Sequence, residues 1–566
     1  MTPDQEAGPT EDDFLKVCRL LNQSGAHYLI VGGFALMMHE VPRFTADVDV
    51  LIEESEDNYR RVIEALSQFI LMLQRRAAGV RHDEGLVPTS RKAGKGCLGM
   101  LTSLLAICLL ICGGLAAAGE AGPQPMVAGY TDKVSYAPGD VVRLHVSTNA
   151  PAFSASIVRH GLKPEKLHEQ KNIAGKEHPV PEDASSLGCR WPESLSLKIP
   201  ADWKSGYYNV GLSAVSGGEG EPHATANAAC YFVVRAADPG KTSQILLQLS
   251  TNTYNAYNNW GGFSLYAYNG RGGNQGHRVS FQRPPASQFS NWEQPFVDWA
   301  EKAGVALEFA ANGDLEFHPE ILSKYKLVLS VGHDEYWSAP MRDHLEKYIA
   351  GGGNVAFFSG NTCCWQVRSE DGGNALTCWK QNYPSDPVYG ARAGYATLST
   401  LWSHHLLKRP ENQLTGVGFL WGGYHKSHGQ LMDASGAFTV HRPDHWLYAG
   451  SGLKRGDSFG ARDTIVGYEC DGCEIEWRDG LPFPTHRDGT PESFEILASA
   501  PAQWHPDDCQ WYDLWENGRK GNAVLGVYKR GGTVFTCGST DWAHGLRGND
   551  PVVARITQNI LNRLSQ

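Results

Sequence analysis

At 566 residues the chain is too long for a single hydrophobic core, and two to four domains are expected. A formal net charge of -11 excludes nucleic-acid binding as the role of the whole chain. Its 16 Trp, 22 Tyr and 63 Gly exclude a disordered polymer and suit β-sandwiches and α/β enzymes that bind glycans or small molecules.

The first patterned segment, residues 28–52, reads YLIVGGFALMMHEVPRFTADVDVLI. Gly32 and Gly33 form a turn, and Asp47 and Asp49 alternate along a strand so that both carboxylates share one face. Residues 1–75 resemble the minimal, AbiEii-like nucleotidyltransferases. That resemblance implies a nucleotide phosphate on the glycines and Mg²⁺ on the two aspartates. Phe34 stands where active members place Ser, and no third carboxylate can be placed before the chain changes character. The segment therefore reads as a truncated, inactive nucleotidyltransferase-like α/β fragment, with nucleotidyl transfer as an alternative function.

Residues 76–96 form a basic linker. Residues 97–118, CLGMLTSLLAICLLICGGLAAA, make an uncharged apolar run near the ~20 residues that span a bilayer. Basic residues precede it and Ala116-Ala117-Ala118 end it, which is the pattern of a secretory signal. The expectation is a cleaved signal or a transmembrane anchor, with the C-terminal domains secreted, periplasmic or membrane-anchored outside the cytoplasm. Cysteine usage is compatible with export. Cys189 and Cys230 could pair across a sheet, and Cys470 and Cys473 have spacing for a local disulfide or two free thiols.

From residue 127 to 237 short alternating strands are separated by turns such as Pro138-Gly139-Asp140, which predicts an immunoglobulin-like β-sandwich. From residue 243 to 566 strands alternate with helices, which predicts a flavodoxin-like, doubly wound sheet. A β-rich insertion is expected at about 395–526. The fold class is thus multidomain α/β plus β.

In such sheets, the loops past the carboxyl ends of the strands collect the reacting groups. The apolar strand Leu327-Val328-Leu329-Ser330-Val331 runs into Gly332-His333-Asp334-Glu335-Tyr336-Trp337. Further strand ends carry Gly360-Asn361-Thr362-Cys363-Cys364, Gly467-Tyr468-Glu469 and Gly538-Ser539-Thr540-Asp541-Trp542-Ala543-His544. His333, Asp334, Asn361, Asp541 and His544 are candidate catalytic residues, as proton-transfer groups or supports for the reacting groups. Asn252 to Tyr257, with Trp260 and Tyr266, could line an aromatic wall. No Gly-x-Cys-x-Gly nucleophile elbow occurs, so the fold does not bring an amidotransferase mechanism with it.

These loops, with Asn252-Thr253-Tyr254-Asn255-Ala256-Tyr257-Asn258 and Gly261-Gly262-Phe263-Ser264-Leu265-Tyr266, resemble the large (beta) subunit family of N,N-dimethylformamidase over about residues 127–566. The resemblance implies a fold like class I glutamine amidotransferases and hydrolysis of a carbon–nitrogen amide bond. It also implies a mononuclear iron held by two tyrosines and a glutamate. Tyr336 and Glu469 match two of those ligands, and Cys364 stands where the second tyrosine is expected. The implied partner is a small amide substrate, with no nucleic acid; membrane contact through residues 97–118, a homo-oligomer or a small partner subunit are all compatible with the sequence. A non-catalytic cell-surface module binding glycans or small molecules is the alternative from another class.

Overall fold

The computed structural model describes residues 124–216, 224–391, 395–427, 430–432, 436–506 and 520–566, together with residues 21, 24, 28–31, 49–52, 58, 61 and 62. The chain divides into two units, 1–123 and 124–566. In the first, Tyr28–Val31 pairs antiparallel with Asp49–Ile52. Asp47 and the Gly32-Gly33 turn lie outside the described residues.

The second unit is a mixed α/β plus β assembly of several sheets. Its amino-terminal part packs two sheets face to face, antiparallel except where Ser135–Tyr136 pairs parallel with Ala224–Val234. One runs in the order Val127–Thr131, Val141–Thr148, Leu195–Lys198; the other runs Ser135–Tyr136, Ala224–Val234, Gly206–Ser216, Ala152–Arg159, Glu165–Ala174. The period-2 pattern explains the packing. Phe153, Ala155 and Ile157 alternate inward from one strand and meet Val142, Leu144 and Val146 of the facing sheet.

An eleven-stranded sheet forms the rest of the core. Its path is Glu308–Ala311, Ile245–Leu249, Leu327–His333, Asn354–Gly360, Gly532–Thr536, Lys520–Arg530, Glu495–Gln503, Gly418–Tyr424, Glu469–Gly472. The first five of these strands are mutually parallel, and the last four add antiparallel. Both faces are covered, which is why the strand sequences are continuously apolar. Leu327, Leu329 and Val331 face Phe296 and Val297 of the Glu293–Lys302 helix, whereas Val328 faces Met341, Leu345 and Ile349 of the Ala339–Ala350 helix. Those three residues recur every four positions, so one stripe of that helix is buried. Ser338 starts it by accepting the Met341 amide at 3.3 Å, and Pro340 fits the first turn.

Polar clasps hold the sandwich to the large sheet. The buried Glu308 carboxylate accepts the amides of Gly240, Thr242 and Ser243 at 2.8, 2.9 and 3.1 Å, and the Tyr325 hydroxyl at 2.6 Å. Arg235 pairs with Asp314, which also accepts the Ser135 hydroxyl at 2.7 Å.

Two expectations are corrected here. Among the described residues no helix is long and apolar enough to cross a membrane, so neither a transmembrane anchor nor a membrane partner stands among them; residues 97–118, where the anchor was expected, lie outside the described residues. Cys189, Cys230, Cys470 and Cys473 are each buried free thiols, so neither suggested disulfide forms. Cys189 packs with Tyr130 and Trp191, while Cys230 belongs to the sandwich core, so separate apolar clusters hold the two.

Candidate functional site

The strand-end loops meet. The Glu469–Gly472 strand is last on the sheet's path, yet it folds back onto the parallel strands. Cys470 bridges Ser539, the Thr540 amide donates to the Glu469 carbonyl at 3.1 Å, and the Asp471 amide donates to the Gly538 carbonyl at 3.0 Å. Gly360 is required where these loops cross, because a Cβ there would lie 2.4 Å from the Thr540 nitrogen and 2.5 Å from the Glu469 carbonyl oxygen. Gly332, at φ +80, makes room for Trp292, whose Cβ would lie 2.2 Å from an added methyl. Trp292 then packs its ring edge-on against His333, with centroids 5.2 Å apart.

His333 is the hub. Its Nε2 lies 2.8 Å from Glu469 Oε2 and 3.2 Å from Glu335 Oε2, and all three side chains are buried. These are ion-pair distances, but their angles fall outside hydrogen-bond geometry: both His333 nitrogens and Glu469 Oε2 lack a hydrogen-bond partner. Burial alone would lower the imidazole pKa, but the two carboxylates outweigh it and raise His333 to about 10. Glu469 is pushed up by burial, against the pull of His333 and the Asn361 amide. Burial pushes Glu335 up too, but the charges of His333 and Lys380, with the Tyr266 hydroxyl, hold it below the usual carboxylate range.

Phenols surround Glu335. Its Oε1 accepts from the Trp365 indole at 2.7 Å and the Tyr266 hydroxyl at 2.9 Å, and its Oε2 accepts from the Tyr257 hydroxyl at 3.0 Å. Tyr336 donates to the Tyr266 hydroxyl at 2.7 Å. The Lys380 ammonium sits 3.1 Å above the Tyr266 ring and 4.8 Å from the Trp365 ring, and burial lowers its pKa to about 8 against the pull of Glu335. Tyr468, 42% exposed, stands edge-on to His333 with ring centroids 6.2 Å apart.

The five candidate catalytic residues divide. His333 and Asn361 belong to the cluster. Asp334 is a tether: it accepts from Gln248, Ser330 and Asn312 at 3.0, 2.8 and 3.1 Å, holding three strand ends together. Asp541 accepts the Trp292 indole and the Tyr468 amide, each at 2.9 Å, and so orients two rings that touch His333. His544 lies outward on the Trp542–Arg547 helix, where its Nε2 is 3.3 Å from the Asn291 carbonyl oxygen.

The expected iron on Tyr336, Cys364 and Glu469 is overturned. Among the described residues no group of three or more His, Cys, Asp and Glu side chains could hold a metal ion; Asp47, expected to hold Mg²⁺ with Asp49, lies outside the described residues. Burial pushes the Tyr336 phenol and the Cys364 thiol well above their ordinary values. Tyr336 and Cys364 sit instead in an apolar cluster with Trp365, Tyr424 and Trp504.

The sequence marks Glu335 as a loop side chain able to ligate metal or move protons but does not place it in the candidate site, and it does not single out Lys380, Trp365 or Asp471. Asp471 accepts the amides of Asn361 and Thr362, both at 3.0 Å, and so braces a turn in which Asn361 and Cys363 are left-handed at φ 49 and 57. The signal available for it was its place two residues after Glu469 on the same strand. Lys380 carried none, because it lies outside every strand-end motif.

With this geometry in view, the comparisons are specific. The family model "N,N-dimethylformamidase beta subunit-like, C-terminal" matches residues 155–555. The N,N-dimethylformamidase beta subunit of Alcaligenes sp is 24% identical over 445 residues, covering 66% of this chain and 54% of that protein. The beta subunit from Paracoccus aminophilus is 23% identical over 450 residues, with the same coverage of 66% and 54%. The chain thus spans about half the length of the curated relatives it matches. The crystal structure of Spo0M, a sporulation control protein from Bacillus subtilis, aligns with 15% identity over 21% of this chain and 51% of that one; its TM-score of 0.14 carries no argument. The nucleotidyltransferase resemblance of the N-terminal piece finds no support, since the family match begins only at residue 155. A match across residues 155–555, containing every element of the His333 cluster, means that this chain belongs to the N,N-dimethylformamidase beta subunit-like family.

Proposed function

We propose that this chain hydrolyses a carbon–nitrogen amide bond at the His333, Glu335 and Glu469 cluster. The carrying observation is His333 Nε2 held between two buried carboxylates where four strand-end loops converge. Glu469 Oε2, with no hydrogen-bond partner, is the base that takes a proton from water. The water oxygen bonds to the amide carbon, the carbon–nitrogen bond breaks, and the proton passes from Glu469 to the departing amine nitrogen. Glu335, locked by Trp365, Tyr257 and Tyr266, keeps His333 oriented. Family membership supports the hydrolase class, and the relatives' name supplies the first assay substrate, N,N-dimethylformamide.

The finer fold reading belongs to the same proposal. Numbered along the chain, the five parallel strands run 2-1-3-4-5, which supports a flavodoxin-like domain. The two facing, mainly antiparallel sheets support an immunoglobulin-like domain before it.

The test is amide hydrolysis by the purified full chain and its Glu469→Gln variant. Loss of at least ~100-fold in kcat/KM is expected, the order general-base catalysis supplies. Undiminished hydrolysis by the variant would remove Glu469 from the mechanism. No hydrolysis of any small amide by the parent chain would leave the binding-module reading.

A further inference from the structure

Glu293 opens its helix and is 0% exposed, and its carboxyl joins two elements that each reach the His333 cluster. Its Oε1 accepts the Ser250 amide at 3.3 Å and the Tyr254 hydroxyl, while Oε2 has no hydrogen-bond partner among the described residues. Tyr254 belongs to the Thr251–Tyr257 helix. On that helix Tyr257 donates to Glu335, and the Thr253 hydroxyl accepts the Glu335 amide at 2.9 Å. On the other side, Trp292 precedes Glu293 in the chain and packs edge-on against His333. The contact between Glu293 and Tyr254 therefore ties the helix that grips Glu335 to the segment that flanks His333. Titratable groups face Glu293 from each element packed against it: Tyr254 from that helix, Tyr207 and Tyr231 from the sandwich strands, and Asp334 from the loop after Leu327–His333. All are neutral or negative, so none offsets a charge on Glu293. Burial accordingly pushes its carboxyl up to about 7, against the hydrogen bonds of Tyr254 and Ser250. A buried carboxylate without a cation is costly, and letting water in relieves the cost, which here means parting the two elements.

We infer that Glu293 is a positioning residue for amide hydrolysis: as a neutral acid it holds Tyr257 on Glu335 and Trp292 on His333, and on ionising it releases them. The inference rests on the hydrolase reading for the reaction but not for the release, which is readable without substrate. A carboxyl raised from 4.5 to about 7 in the closed arrangement favours that arrangement fully below pH 4.5 and loses the preference as pH rises through about 7. Local opening is expected to grow about 50-fold between about pH 5 and about pH 7.5.

The experiment follows hydrogen exchange of the full chain in residues 251–257 and 332–338 over that pH span, corrected for the intrinsic pH dependence of exchange. The second segment contains the Glu335 amide held by Thr253. Values of kcat/KM for N,N-dimethylformamide are measured alongside. Glu293→Gln keeps the shape of the neutral acid and cannot ionise; Tyr254→Phe keeps the ring and cuts the link. Thermal unfolding establishes that both fold, and should Glu293→Gln not fold, Tyr254→Phe carries the test alone. The parent is expected to lose about 50-fold of protection in both segments as pH rises, and Glu293→Gln to hold its protection within about threefold. The ratio of kcat/KM in Glu293→Gln to that in the parent is expected to rise by about threefold or more over the span, and Tyr254→Phe to lose about threefold or more of kcat/KM already at about pH 5. Parent protection that does not fall with pH overturns the inference, as does an equal fall in Glu293→Gln or full activity in Tyr254→Phe. A fall in protection with an unchanged kcat/KM ratio also overturns it, because Glu293 would then hold the fold and not the reacting groups. The expected exchange with no turnover by the parent would sink the hydrolase reading and leave the release of Glu335 by Glu293 standing.

Discussion

Asp334 and His333 are neighbours in sequence with opposite physical situations. Every oxygen of the Asp334 carboxylate is hydrogen-bonded, to donors from three different segments. Replacing it by Ala strands those buried donors, so Asp334→Ala is expected to cost ~3 kcal/mol or more of stability, read as a drop in the urea midpoint. His333 instead carries a charge that its neighbours impose. With its pKa raised from 6.5 to about 10, its stabilising contribution is fully present below pH 6.5 and is lost as pH rises through about 10. Urea unfolding of the parent chain should therefore show stability falling between pH 6.5 and 10, and His333→Gln should flatten that fall. An identical decline in the variant would assign it to other groups.

At the scale of elements, the site depends on how closely two loops can cross. Gly360 sits where a methyl would strike the Thr540 nitrogen and the Glu469 carbonyl, which are backbone atoms with no rotamer to yield. Gly360→Ala is expected to force the Asn354–Gly360 and Glu469–Gly472 strand ends apart, costing ~1–3 kcal/mol as overpacking does and reducing amide hydrolysis with it. Gly390, with nothing within 4 Å of an added Cβ, is the control whose Ala variant should unfold like the parent. The sandwich strand Ala152–Arg159 offers a simpler case. Ile157→Ala empties a core position facing Val142 and Leu144, for an expected loss of ~2–5 kcal/mol without a direct effect on the site.

For the molecule as a whole, the clasp on Glu308 joins the sandwich to the large sheet through the amides of residues 240–243. Glu308→Ala is expected to let this linker open locally, so that trypsin cleavage after the exposed Lys241 accelerates by about tenfold or more. Unchanged cleavage would show that Arg235 with Asp314 suffices. What the sequence by itself determined is the kind of each element. Continuous apolar runs such as 327–331 marked strands covered on both faces, alternation such as Phe153, Ala155, Ile157 marked sandwich strands, and the strand-end motifs named the loops that meet. Those signals are local, because side-chain periodicity follows from backbone geometry over a few residues. Only the tertiary structure decided which side chains on those loops face one another. The fold-back of the Glu469 strand brings its carboxylate to His333, while Tyr336 and Cys364 turn into an apolar cluster and Lys380 arrives from outside every motif. Ion pairs and pKa values depend on distances of a few ångströms between residues more than a hundred positions apart, and no local pattern in the chain encodes them.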